Sequence, residues 1–319
     1  MTPPTKVPLC LLPTPLHVLP RLSTELGVDL WIKRDDLTGF AMGGNKGRKL
    51  EYLIAAAISE GAEVVVTCGA AQSNFVRQLG AACAMHGLRC VAAIMDLPYE
   101  DEPAPGLRHG AGGNVLLDEI LGIELHRFAD GPWETLYDHA EALAVALEGD
   151  RKRVYRIPIG GSSPLGALAF YEAAREVGEG FDWIVTASSS GSTHTGLAYA
   201  FHGSETKVLG IASDPEPEIA EDFAELGVKL ADLLDLPFRL AAAEYRMNFD
   251  FVGPGYGIPS GESDAAIAKL AKKEGIFLDP IYSGKAFAAL LDAVSKGEIG
   301  GRILFWHTGG VPALFAHPS

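Results

Sequence analysis

Residues 182–196 read DWIVTASSSGSTHTG. An apolar, β-branched run (Trp183–Ala187) breaks into small residues, and a helical pattern starts near Thr193. A strand therefore leaves a sheet, turns tightly and enters a helix. Consecutive small residues let backbone amides turn inward, and the helix N-terminus adds partial positive charge. Such a loop can seat a phosphate without a lysine. The same residues equally suit a tight turn that needs small side chains.

Strand runs recur on both sides of this unit: Asp29–Lys33, Glu63–Cys68, Arg89–Met95, Val154–Ile159, Val208–Ala212 and Arg302–His307. Helical patterns separate them. After Lys46, Leu50, Leu53, Ile54, Ala57 and Ile58 share a face, and Gly61 supplies a stop. Val76, Leu79 and Cys83 repeat the pattern before Gly87, and Ser163-Pro164 opens another helix with a capping hydroxyl. Strands alternating with helices predict an α/β fold built on mostly parallel sheet. Residues 97–114, rich in Pro, Gly and charge, predict a long surface loop.

Composition narrows the function. The chain has 319 residues, 48 % of them hydrophobic and 21 % charged, which excludes disorder and allows a large core. No apolar run reaches the roughly 20 residues of a membrane span. Prolines interrupt the N-terminal stretch, which lacks the apolar segment of a secretory signal, so a cytoplasmic protein is expected. Acidic residues exceed basic ones, 41 − 26 = 15, and no Lys/Arg run compensates, so nucleic acid is not an expected partner. The four cysteines contain no CxxC pair and read as reduced thiols.

Familiar site types are missing. Gly39–Lys46 reads GFAMGGNK, with Asn45 where a phosphate-binding loop needs lysine, and no GxGxxG follows a strand. There is no GxSxG, and the nine histidines show no HExxH. Three other segments carry chemistry. Gly43–Lys49 (GGNKGRK) places Lys46 at a helix start beside glycines; a lysine used covalently needs desolvation or nearby cations, which Arg48 and Lys49 can supply. An exposed, solvated lysine fits the same pattern. Gly69–Asn74 (GAAQSN) offers Gln72, Ser73 and Asn74 at a sheet's carboxyl edge, where ligands of open α/β sheets bind; Ser73 also suits a plain helix cap. Tyr256, in GPGYG, and Tyr282, in DPIYSGK, lie on late loops ahead of HTGG at 307–310.

Taken in order, GGNKGRKLEYL, GAAQSNFVRQ, IPIGGSSPLGALAF, SSSGSTHTGL, the Tyr256 loop, LDPIYSGKA and HTGGVPALFA are similar to one family. From about Pro13 to Phe315 the chain resembles the 1-aminocyclopropane-1-carboxylate deaminase/D-cysteine desulfhydrase family. That family belongs to the tryptophan synthase β-like, fold type II, pyridoxal-phosphate enzymes. The resemblance implies two open, twisted, mostly parallel sheets flanked by helices. It implies a large cofactor domain of residues 1–48 plus 158–319, a small inserted domain of residues 49–157, and a homodimer. It implies that Lys46 carries pyridoxal 5'-phosphate, with Ser190, Gly191, Ser192 and Thr193 around its phosphate and Asn74 on its phenolic oxygen. Ser73, with Gln72, would take the carboxylate of a small amino-acid substrate, and Tyr256 and Tyr282 would face that substrate.

Two positions separate the family's branches. Ser283 follows the Tyr282 position where the deaminase pattern has glutamate, and Thr308 follows His307 where it has leucine. Neutral hydroxyls near the pyridine nitrogen give a weaker electron sink than a carboxylate, which suits β-elimination of a good leaving group better than cyclopropane opening. The expected activity is D-cysteine desulfhydrase-like. L-Cysteate sulfo-lyase and the cyclopropane deaminase are rivals within the class, and a non-catalytic two-lobed anion-binding protein is the rival outside it.

Overall fold

The computed structural model describes residues 4–99, 109–216 and 218–318. Its strands are β1 (Leu16–Val18), β2 (Asp29–Arg34), β3 (Val64–Ala70), β4 (Arg89–Met95), β5 (His109–Gly112), β6 (Glu124–Arg127), β7 (Val154–Arg156), β8 (Trp183–Ser188), β9 (Lys207–Ala212), β10 (Arg246–Asn248), β11 (Arg302–His307) and β12 (Ala316–Pro318). Its helices are α1 (Pro20–Leu26), α2 (Lys46–Ser59), α3 (Asn74–His86), α4 (Gly113–Ile120), α5 (Trp133–Gly149), α6 (Pro164–Ala173), α7 (Ser192–Ala200), α8 (Ile219–Leu234), α9 (Gly261–Glu274) and α10 (Ser283–Ser295).

Strands β5 and β12 form a separate antiparallel pair, and the other ten form two mostly parallel sheets, as expected. One has the order β1-β2-β11-β8-β9-β10, with β1 alone antiparallel. The other has the order β6-β4-β3-β7, parallel throughout. Strands covered on both faces read as continuous apolar runs, and β3 is buried at every position. Its side chains still alternate. Val65, with Ala92 and Ile94, packs under Leu50, Leu53 and Ile54 of α2 and Val76 and Leu79 of α3. Val64 and Val66, with Val91, pack under Ala144 of α5. In the larger sheet, Ile184, Leu304 and Trp306 face α6, α7 and α8, whereas Val185, Ile303 and Phe305 face α9 and α10. Each of the valines, leucines, isoleucines and phenylalanines among them contributes about 1.5–3 kcal/mol on burial.

Several expected elements shift. The strand expected to reach Ile159 ends at Arg156, because Pro158 has no N–H to extend the ladder. Ile58 is 43 % exposed, so the buried face of α2 stops at Ala57. The expected loop 97–114 is corrected at its C-terminal end: residues 109–112 pair with Ala316–Pro318, and Gly113 starts α4. Residues 100–108 of that loop lie outside the described residues. The four cysteines are free thiols. No helix among the described residues is long and apolar enough to cross a membrane.

Candidate active site

The carboxyl ends of β3, β8 and β11 open onto one cavity of about 720 Å³, lined from both sheets. Lys46, Ser73, Asn74, Ser190, Gly191, Thr193, Tyr256, Tyr282 and Thr308 all line it, though they lie up to 262 residues apart in sequence (308 − 46).

Lys46 is the first residue of α2. Burial of its amine lowers the pKa from 10.5 to about 8, so about a tenth of it is neutral at pH 7, against well under a thousandth for an ordinary lysine. Its Nζ would lie 3.8 Å from a Cβ at Gly160. The cations expected to activate it divide. Arg48 turns away: its Nη2 donates to Asp35 Oδ1 at 2.8 Å, and its Nη1 donates to Glu176 Oε1 at 2.7 Å. Lys49 does line the cavity and donates to the Gly160 oxygen at 3.1 Å. Desolvation, rather than a neighbouring charge, is therefore the chief cause of the Lys46 shift.

The serine-rich loop leads into α7, whose first residue is Ser192. Asn45, the residue before Lys46, donates from Nδ2 to Thr193 Oγ1 at 3.1 Å and so ties the lysine loop to this helix start. Gly191 has φ +93°, and a Cβ there would overlap the Phe223 ring. At Gly160, with φ +60°, a Cβ would overlap the Ser190 hydroxyl. Both glycines keep the cradle open. Ser192 is fully buried, outside the cavity lining, and its hydroxyl has no partner among the described residues. Ser190 and Thr193 on the cavity wall, a helix start and glycine-shaped space fit a phosphate group.

Ser73 is both a helix cap and a residue of the cavity wall. Its Oγ caps α3 by accepting from Val76 N at 3.3 Å, and it also lines the cavity. Gln72 does not reach the cavity; its Nε2 donates to Gly112 O at 3.2 Å, and its Oε1 accepts from Asn114 N at 2.8 Å. Ser283 also stays outside, donating to Asp279 Oδ1 at 2.5 Å. Asp279 further accepts from the backbone N–H of Ile281, Tyr282 and Ser283 at 2.8–2.9 Å, so its carboxylate is occupied by its own turn. Thr308 is the hydroxyl of that pair that lines the cavity.

Tyr256 and Tyr282 share a hydrogen bond between their hydroxyls. Burial pushes both phenols above their ordinary range, so both are protonated donors at neutral pH. His194 also lines the cavity, and burial lowers its pKa to about 4, which leaves it neutral. Sequence reasoning did not single out Trp133, whose Nε1 donates to Asp214 Oδ2 at 2.9 Å and whose ring meets Tyr256 edge to face at 5.0 Å. Both Trp133 and Asp214 line the cavity, but neither stands in a motif that marks it.

A family model described as pyridoxal-phosphate dependent enzyme matches residues 7–309. The chain belongs to that family. The enzyme is similar to a solved ACC deaminase homologue, with 37 % identity over 99 % of this chain and 97 % of that one and a TM-score of 0.88. A solved O-ureido-L-serine synthase shares the fold, with 19 % identity over 94 % and 90 % of the two chains and a TM-score of 0.67. The cofactor expected at the cavity is thus that of the family, pyridoxal phosphate. The alternative of a non-catalytic anion-binding protein is overturned by this membership.

Proposed function

We propose that the enzyme is a β-eliminating lyase acting on a small amino acid, D-cysteine or a close analogue. With water, D-cysteine would yield pyruvate, hydrogen sulfide and ammonia. Pyridoxal phosphate, when bound, supplies the carbonyl that takes the substrate amine and the electron sink for charge at Cα.

In this reading Lys46 holds the cofactor, and its amine or the Ser73 hydroxyl removes the Cα proton, depending on the hand of the substrate. Ser73 accepts the Val76 N–H on its oxygen and keeps its own proton to donate to the substrate carboxylate. Ser190, Gly191, Ser192 and Thr193 hold the phosphate, and Asn74 donates to the phenolic oxygen. Tyr256 and Tyr282 face the substrate as neutral donors.

The observation that carries the choice of elimination is the saturated Asp279 carboxylate beside Ser283, with Thr308 as the hydroxyl on the cavity wall. That wall offers no free carboxylate from these residues to protonate a pyridine nitrogen. The rim argues against L-cysteate: Glu134, Glu141, Glu216, Asp222 and Glu225 face Arg156 and Lys229, and this acidic excess repels a second anionic group. The cyclopropane deaminase remains the second reading, supported by the 37 % identical ACC deaminase homologue.

The division into residues 1–48 plus 158–319 and residues 49–157 is part of the proposal. It is supported by the smaller sheet, whose four strands all fall between Val64 and Arg156. A homodimer and a cytoplasmic location complete it. Incubating the purified enzyme with D-cysteine and assaying sulfide and pyruvate tests the activity. Absence of both products, with ammonia and 2-oxobutyrate released from the cyclopropane substrate, would transfer the assignment to the deaminase.

A further inference from the structure

We propose that Arg77 is a positioning residue of the cofactor site: with Asn114, it fixes the Asn74 amide so that an N–H donor faces the cavity. The inference rests on the reading above, in which Asn74 meets the phenolic oxygen.

Asn74 and Arg77 lie one turn apart at the start of α3. Arg77 is 1 % exposed and forms a hub. Its Nη1 donates to Asn74 Oδ1 at 2.8 Å and to Asn114 Oδ1. Its Nε donates to Ala41 O at 3.0 Å and its Nη2 to Gly43 O at 3.2 Å, gripping the loop that leads to Lys46. A guanidinium has donors only, so each asparagine atom that meets it is an oxygen. This forces both amides. With its oxygen on Arg77, Asn114 must turn Nδ2 the other way, where it donates to Gln72 O at 2.6 Å and Asn74 Oδ1 at 3.0 Å. The Asn74 oxygen thus receives two donors, and its Nδ2, which donates to no described residue, is left for the cavity that Asn74 lines.

Charge strengthens the arrangement. Arg77 is within ion-pair distance of no carboxylate among the described residues. The acid that faces it from α4 is Asp118, whose pKa burial raises to about 8, leaving it largely neutral at pH 7. Burial lowers the Arg77 pKa only to about 10, so the guanidinium keeps its charge there. A cation on the amide oxygen polarises the opposite N–H and makes it a stronger donor. A donor on an ionisable oxygen favours the ionised form.

The test reads the pKa in the visible absorption of the cofactor-loaded enzyme, where a less stabilised phenolate holds the neighbouring proton more tightly. Asn74→Ala is expected to raise this pKa by about one unit. Arg77→Lys and Asn114→Ala are expected to raise it part of the way. In the Asn74→Ala background, Arg77→Lys should add nothing, as required of a residue acting through another. The other titratable groups facing this region, Lys49, Tyr256, Tyr282 and Asp118, are unchanged in every variant. If Arg77→Lys fails to fold, Asn114→Ala decides. Variants that bind cofactor with the wild-type pKa, or a full additive shift in the double variant, would overturn the proposal. A wild-type protein that gains no visible band overturns the functional reading itself.

Discussion

Lys49 donates to the backbone oxygen of Gly160 at 3.1 Å, three residues beyond Lys46 on the same helix, so two buried amines share one cavity wall. Burial lowers both, and Lys46 lies at about 8. Only the unprotonated amine attacks a carbonyl, so cofactor capture by the apo-protein should accelerate as pH rises and level off above about 8. Below that point the rate should climb about tenfold per pH unit. Stopped-flow absorbance between pH 6 and 10 measures it, and a flat profile refutes the shift. Lys46→Ala should form no covalent band at any pH.

Gly160→Ala probes the cradle. The new methyl would overlap the Ser190 hydroxyl, in van der Waals reach of the Lys46 amine, at a backbone φ of +60° that disfavours alanine. The expected result is at least about tenfold weaker cofactor retention, with stability reduced by about 1–3 kcal/mol. Equilibrium dialysis against pyridoxal phosphate reports the first, and chemical denaturation the second. Wild-type retention would mean that the loop relaxes without loss.

Removal of one phenol tests the tyrosine pair. Tyr282→Phe keeps the ring and deletes one half of the shared hydrogen bond with Tyr256. If the pair acts on the substrate as proton donors, kcat should fall about 10²-fold or more. Steady-state kinetics with D-cysteine would show a smaller change in KM than in kcat. Because burial holds both phenols protonated, the wild-type profile should show no tyrosine limb below pH 10.

Acid should strike at the foot of α2. Glu176 is partly buried, which raises its pKa, but Arg48 and Lys33 more than offset this and hold it at about 2, below its ordinary 4.5. A depressed carboxyl contributes stability above pH 4.5 and loses it as pH falls toward 2. The loss is on the order of 2–3 kcal/mol. Glu176→Gln should cost about 3 kcal/mol at pH 7, because Lys33 then lacks a counter-charge, whereas Arg48 keeps Asp35. The variant should also show a flatter acid limb in denaturation midpoints. An unchanged limb would place the acid sensitivity elsewhere.

Much of this was legible in one dimension. Continuous β-branched runs marked the long strands, since β3 is buried at every position, and period-3.6 apolar patterns marked the helices. The short strands β1, β10 and β12 were not readable: each has three residues, and their pairing depends on neighbours distant in sequence; β7 was read, but as a longer strand. Within the site, glycine-rich turns signalled Lys46 and the serine loop because close backbone approach needs missing side chains. Ser283 was expected at the cavity, yet the Asp279 carboxylate holds its hydroxyl, and spacing cannot reveal that bond. Trp133, Asp214 and Asn114 carried no signal, since each is recruited by a partner at least 40 residues away.

The Trp133 indole, at the start of the helix covering the smaller sheet, is hydrogen-bonded to Asp214, just past β9 of the larger one. Any separation of the two sheets along the cleft must stretch or break that bond. The emission of an indole depends on whether its N–H meets carboxylate or water, so a variant with Trp31, Trp183 and Trp306 replaced would carry an optical gauge of that separation without an attached dye.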